Sequence, residues 1–169
     1  YQYLQSPNES EGDPPPPVVI TILGGSVTAG VGCATGIPRI RNERCAWPTR
    51  FEQFVNKLAK STLRSHADDD DEDLNLITVH TLAVGGTNTA TGQAVLEYDI
   101  LSKDASNPDI LINAYSTNDM HVLTLNEAAG SNMTIRDKVF SMSQDFVRTV
   151  LKCRSRPVLL WLDDYIGNE

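Results

Sequence analysis

The chain has 169 residues, of which 40% are hydrophobic and 21% are charged, a composition typical of one soluble globular domain. No apolar run approaches the ~18 residues that a membrane-spanning helix needs, so the sequence excludes a membrane-embedded protein. The formal net charge is −8. Because nine of the acids lie in the run 68–73 and in the N-terminal tail, the remainder of the chain is close to neutral. Without a basic stripe, no nucleic-acid partner is expected.

The N-terminal segment, residues 1–17, is polar and ends in four prolines, which predicts a disordered, extended linker. The folded domain is expected to occupy residues 18–169. The chain opens with Tyr1 and carries no leader, so we interpret it as a chain that has lost a targeting segment or as a piece of a longer protein. The acidic run 68–73 is compatible with a calcium site or an interaction tail, but a solvated loop is the favoured interpretation.

Three cysteines are present, and no CxxC pair occurs, which argues against a zinc ribbon or a thioredoxin-like site. Cys33 and Cys45 share a loop rich in Gly, Pro and Arg and could form a local disulfide. Cys153 is then either a buried thiol or the partner of a cysteine outside this sequence. Glycosylation sequons at Asn8 and Asn132, together with the cysteines, favour the secretory pathway or an extracellular location.

Seven elements are predicted, in which apolar strands alternate with amphipathic helices. In chain order they are a strand at 18–23, a helix at 47–65, a strand at 74–84, a helix at 90–103, a strand at 109–113, a helix at 135–154 and a strand at 158–162. Near-continuous apolar strands separated by helices predict an α/β fold with a parallel sheet and helices on both faces. Ligands of such sheets bind at the carboxyl ends of the strands.

The first strand runs into Gly24-Gly-Ser-Val-Thr-Ala-Gly30, where Ser26 lies in a tight turn between glycines. Such a turn presents the serine hydroxyl outward beside free backbone N–H groups, which a developing oxyanion needs. A Gly-rich turn with an incidental serine is the structural alternative. A phosphate loop is disfavoured because the Gly-Lys-Ser/Thr sequence of a P-loop is absent.

The next two strands also end in potential hydrogen-bond donors. Gly85-Gly86 follows the second strand and offers backbone N–H groups. Asn118 follows the third strand, and its side-chain amide can donate a hydrogen bond without titrating. We therefore expect Ser26, Gly86 and Asn118 to converge on one edge of the sheet.

These three blocks resemble those of the SGNH (GDSL-type) hydrolases. The resemblance implies that Ser26 is the nucleophile and that the N–H groups of Ser26 and Gly86 and the side chain of Asn118 form the oxyanion hole. It also implies a flavodoxin-like three-layer α/β/α sandwich, incomplete at its C-terminus, and hydrolysis of an acyl or acetyl ester without metal or cofactor. Two positions depart from the family pattern, since Gly25 replaces the usual Asp and Ser116 the usual Gly.

The family's fourth block, Asp-x-x-His, is missing, because no histidine here has an aspartate three residues before it. We therefore interpret the sequence as truncated before the catalytic Asp and His. His121 could act as a substitute base or contact substrate, although a loop histidine is the simpler interpretation. For Asp119 we favour capping of the following turn over a functional role. Gly25, Asp119 and His121 are the candidate substrate contacts.

Two other functions are compatible with this fold. One is a non-catalytic module that binds a glycan or an acyl group, and the other is an acyl transferase. A nucleotide-binding flavodoxin-like domain is disfavoured, because the phosphate-loop lysine is absent and the Asn118 block is present. The expected substrate is an ester of a small molecule or of a glycan.

Overall fold

A computed structural model describes residues 16–33, 42–63, 75–119 and 134–163. The predictions for the linker up to residue 15, the acidic run, both sequon asparagines and His121 lie outside these ranges. The elements are β1 (Val18–Gly24), α1 (Trp47–Leu63), β2 (Ile77–Ala83), α2 (Thr89–Glu97), β3 (Ile110–Ala114), α3 (Ile135–Val150) and β4 (Val158–Trp161). Residues 116–119 are also helical. The predicted alternation of strands and helices is confirmed.

The four strands form one parallel sheet in the order β2-β1-β3-β4. This is the order of the first four strands of a flavodoxin-like sheet. Gly24 at the end of β1 lies opposite Ala83 of β2 and Ala114 of β3, so the carboxyl ends of these three strands are level. The strand order reverses beside β1, and this switch point is where open α/β sheets bind ligands.

The helices cover both faces of the sheet, which gives the predicted three layers. Side chains alternate along β1, so that Ile20 and Ile22 face α1 while Leu23 faces α2 and α3. Full burial of such a side chain contributes about 1.5–3 kcal/mol to stability. The α1 face buries Ile20, Ile22, Ile77, Ile112 and Ala114 against Trp47, Phe51 and Val55. The opposite face buries Leu23, Val95, Leu111, Tyr115, Phe146 and Val150.

Two helices end earlier than the sequence predicts. Helix α2 ends at Glu97 instead of residue 103, and Asp99 has a positive φ of 51°, which no helical residue adopts. Helix α3 ends at Val150 instead of residue 154. Its start was predicted correctly and is fixed by a reciprocal cap, in which Thr134 and Asp137 bond each other's backbone N–H groups.

Several apolar side chains remain exposed. Phe54 and Leu58 of α1 are 66% and 54% exposed, because they lie one residue before the stripe of Phe51, Val55 and Ala59 that faces the sheet. Val158 of the edge strand β4 is 61% exposed. No helix in the described part of the chain is long and apolar enough to cross a bilayer.

The sequence did not decide whether Cys33 and Cys45 form a disulfide. In the structure they are joined, and the bond closes the loop between β1 and α1. Closing a loop of this length stabilises the fold by about 3 kcal/mol in the chain-entropy account. The bond is compatible with an oxidising compartment and thus with an extracellular protein. Cys153 is a free thiol, and burial raises its pKa.

Candidate active site

Ser26 lies in a compact turn at the carboxyl end of β1. Its carbonyl accepts a hydrogen bond from the Val31 N–H at 2.9 Å, and the Gly25 carbonyl accepts one from the Ala29 N–H at 3.0 Å. Thr28 of the same turn is fully buried and donates its hydroxyl hydrogen to the Ala114 carbonyl of β3 at 3.3 Å. These bonds hold the turn onto the neighbouring strand.

Two groups of Ser26 are left available for a ligand. Within the described ranges, neither its hydroxyl nor its backbone N–H makes a hydrogen bond with another protein group. The residue is half-buried. A nucleophile and one oxyanion donor require such groups.

Gly86 lies in the turn that follows β2, which is closed by a hydrogen bond from the Thr87 N–H to the Val84 carbonyl at 3.3 Å. Its φ of +78° is a left-handed conformation that favours glycine. No residue in the described segments accepts a hydrogen bond from its N–H. A Cβ placed on the preceding Gly85 would lie 3.7 Å from the Ser26 Cβ, so this loop passes directly beside Ser26.

Asn118 lies in the helical turn after β3 and is only 9% exposed. Its N–H donates to the Tyr115 carbonyl at 2.8 Å, and its Nδ2 donates to the Thr87 carbonyl at 2.6 Å. A Cβ on Gly25 would overlap the Asn118 amide, so this side chain packs against the backbone just before Ser26. The amide has two donor hydrogens, and the Thr87 carbonyl takes one of them.

The three strand ends thus converge as the sequence predicts. A hydroxyl, two backbone N–H groups and a side-chain amide lie on adjoining segments, and none of the donors carries a charge. This set can stabilise an oxygen that becomes negative during a reaction. The catalytic roles of Ser26, Gly86 and Asn118 and the substrate contact of Gly25 stay predictions.

Asp119 lies beneath this edge and is 3% exposed. One oxygen of its carboxylate accepts the Thr89 N–H at 2.8 Å and the other accepts the Thr89 hydroxyl at 2.7 Å. Asp119 therefore binds the first residue of α2, a partner that the sequence did not reveal because it lies 30 positions away. The part of Asp119 in substrate binding stays a prediction, as does that of His121.

Tyr115 lies on the buried side of this edge. Burial is the main cause that raises the pKa of its phenol to about 12, the nearby Asp119 carboxylate adds to the rise, and a hydrogen bond with the Thr87 side chain opposes it. Tyr115 is 2% exposed, and its phenol stays neutral at physiological pH.

The histidine in the described part of the chain, His80, does not lie at this edge. It pairs with Thr21 in the middle of the sheet, three residues before the end of β2, which corresponds to ~10 Å along a strand. It is half-buried. Among the residues described, no group of three or more His, Cys, Asp or Glu side chains is arranged to hold a metal ion.

The chain is similar to known proteins in its structure. No family model matches the chain, and no curated protein matches its sequence. The SGNH-hydrolase family esterase AlinE4 matches with a TM-score of 0.52 and 19% identity over 88% of this chain and 60% of that one. The lipase Lip_vut3 from a goat rumen metagenome matches with a TM-score of 0.50 and 16% identity over 85% of this chain and 62% of that one. The chain therefore shares the α/β fold of SGNH hydrolases and spans about three fifths of the length of these structures.

Proposed function

We propose that this chain, which has the fold of SGNH hydrolases, is the nucleophile-bearing part of a serine ester hydrolase of that type. The observation that carries the proposal is the convergence of Ser26, Gly86 and Asn118 at the level ends of three neighbouring parallel strands. The free hydroxyl of Ser26 and the uncharged donors beside it are the groups that acyl transfer needs.

In the proposed reaction the Ser26 Oγ attacks the ester carbonyl carbon, and the carbonyl oxygen becomes an oxyanion. The N–H groups of Ser26 and Gly86 and the free amide hydrogen of Asn118 hold this oxygen, and one such donor contributes about 2.7–4 kcal/mol. A base accepts the Ser26 proton and passes it to the leaving alcohol. Water then attacks the acyl-serine, the same base passes a proton of this water to the Ser26 Oγ, and the acid is released.

The proposed substrate is an acyl or acetyl ester of a small molecule or of a glycan, outside the cell or in the secretory pathway. The disulfide between Cys33 and Cys45 and the two sequons support this location. The disulfide is the stronger support, because a reducing cytosol would not preserve it.

The proposal is tested by p-nitrophenol release from p-nitrophenyl acetate and by acetate release from an acetylated oligosaccharide, with the full-length protein. Hydrolysis of either ester supports it. Transfer of the acetyl group to an added sugar in preference to water would indicate the acyl transferase. Saturable oligosaccharide binding without acetate release would contradict catalysis and favour the binding module.

Gly25→Ala provides a local test of the site. The added Cβ would overlap the Asn118 amide, so this amide must shift, and we expect kcat for p-nitrophenyl acetate to fall about tenfold or more, as misplaced catalytic groups do. Gly85→Ala is the matched control, since its Cβ would make an ordinary 3.7 Å contact with Ser26 and a smaller loss is expected. Equal kcat values for the two variants would contradict this assignment of Asn118.

A further inference from the structure

A buried polar cluster lies beneath the candidate oxyanion hole. It consists of Thr89 and Asn113, both fully buried, and Asp119, which is 3% exposed. The Thr89 hydroxyl donates to Asp119 at 2.7 Å and accepts from the Asn113 Nδ2 at 3.0 Å. The Asn113 Oδ1 in turn accepts the Tyr115 N–H at 3.2 Å. The cluster therefore joins the start of α2 to the end of β3.

Two bridges connect the segments that carry the oxyanion donors. Asn118 donates to the carbonyl of Thr87, one residue after Gly86. Asp119, the residue after Asn118, accepts both the N–H and the hydroxyl of Thr89, three residues after Gly86. Hydrogen bonds of two consecutive residues, Asn118 and Asp119, thus connect the turn that carries the Asn118 amide to the segment that follows Gly86.

We propose that Asp119 and Thr89 are positioning residues that hold the Gly86 N–H and the Asn118 amide at the separation an oxyanion requires. The inference rests on the proposed function and deepens it, because it names residues that act on the reaction through the donors. Neither residue need touch the substrate.

The chemistry of the cluster is suited to holding the two segments in fixed positions. A carboxylate accepts charge-assisted hydrogen bonds, which are shorter and stronger than neutral ones, and the N-terminus of α2 favours a negative charge. Because a buried carboxylate without partners is costly, Asp119 keeps Thr89 in one position. A small displacement of either segment would separate the two donors, and a shift of about 1 Å can reduce catalysis about 10²-fold.

The test compares three threonine variants of the full-length protein. Thr89→Val has nearly the same shape but lacks the hydroxyl, whereas Thr89→Ser keeps it. Thr21→Val is the matched control, since Thr21 is also fully buried and its hydroxyl donates to the Ala105 carbonyl at 2.8 Å, away from the strand ends. For each variant, kcat and KM for p-nitrophenyl acetate are measured, together with the melting temperature.

We expect Thr89→Val to lower kcat about tenfold or more with KM within about twofold, since only transition-state stabilisation is lost. Thr89→Ser should restore most of kcat, and Thr21→Val should lower the melting temperature without the loss of kcat. A kcat for Thr89→Val equal to that of Thr21→Val, or a loss confined to KM, would overturn the inference.

Asp119→Asn keeps the test decisive if Thr89→Val does not fold. The amide retains one acceptor oxygen for the Thr89 N–H and loses the charge, so we expect kcat to fall at unchanged KM. An unchanged kcat would overturn the inference. Ser26→Ala separates this outcome from failure of the proposed function. If that variant retains full activity, the proposed nucleophile is wrong irrespective of Asp119 and Thr89.

Discussion

Ser26→Ala is expected to lower kcat/KM for p-nitrophenyl acetate by at least about 10³-fold, because loss of the nucleophile removes the covalent step. The substitution deletes one oxygen atom, and within the described ranges that oxygen makes no hydrogen bond with the protein. The melting temperature should therefore hardly change. The loss of activity would then reflect chemistry and not folding.

Ser106→Ala is the matched control for this variant. Ser106 lies before β3, at the opposite end of the sheet, and its hydroxyl donates to the Lys103 carbonyl at 2.9 Å. Its replacement should leave kcat/KM within about twofold, as expected for a surface change away from the site. Retention of hydrolysis by Ser26→Ala would show that another group attacks the ester.

Asn118→Ala is expected to lower kcat about 10²–10³-fold with little change in KM, the range measured when one oxyanion-hole donor is removed. The amide hydrogen that the Thr87 carbonyl leaves free is the one assigned to the oxyanion. Because the oxygen is fully charged only near the transition state, the ester in its ground state gains little from this donor.

Asn118→Asp sharpens the same measurement. A carboxylate has nearly the same shape as the amide, but it has no hydrogen to donate and its negative charge would oppose that of the oxyanion. We expect its kcat to fall at least as far as that of Asn118→Ala. Asn107→Ala, at an exposed position at the other end of the sheet, is the control. A rise in KM at unchanged kcat would show that Asn118 binds the substrate and not the transition state.

Much of the fold is predictable because its signals are local. The apolar, β-branched run from Val18 is typical of a strand buried on both faces, and β1 (Val18–Gly24) matches the strand predicted at 18–23 to within one residue. The end of α2 was not predictable in this way. The sequence continues with Tyr98 and Leu101 at helical spacing, and the left-handed Asp99 that ends the helix is neither Gly nor Pro.

The candidate site also has residues that the sequence predicts and residues that it does not. Ser26, Gly86 and Asn118 could be found because each follows a predicted strand, and parallel strands bring such positions to one edge. The hydrogen-bond partners that hold this edge together could not be found from the sequence. The bonds of Asn118 to Thr87 and of Asp119 to Thr89 span 31 and 30 positions of the chain. Only the register of β1, β2 and β3 places those residues side by side.

Covalent labelling of the full-length protein tests whether Ser26 is the nucleophile. A fluorophosphonate ester forms a bond between its phosphorus and the attacking oxygen and releases fluoride, so an activated serine acquires a stable adduct that peptide mass spectrometry locates. We predict one adduct per chain, on the peptide that contains Ser26, and none in Ser26→Ala. An adduct elsewhere, or equal labelling of Ser26→Ala, would show that Ser26 is not the nucleophile.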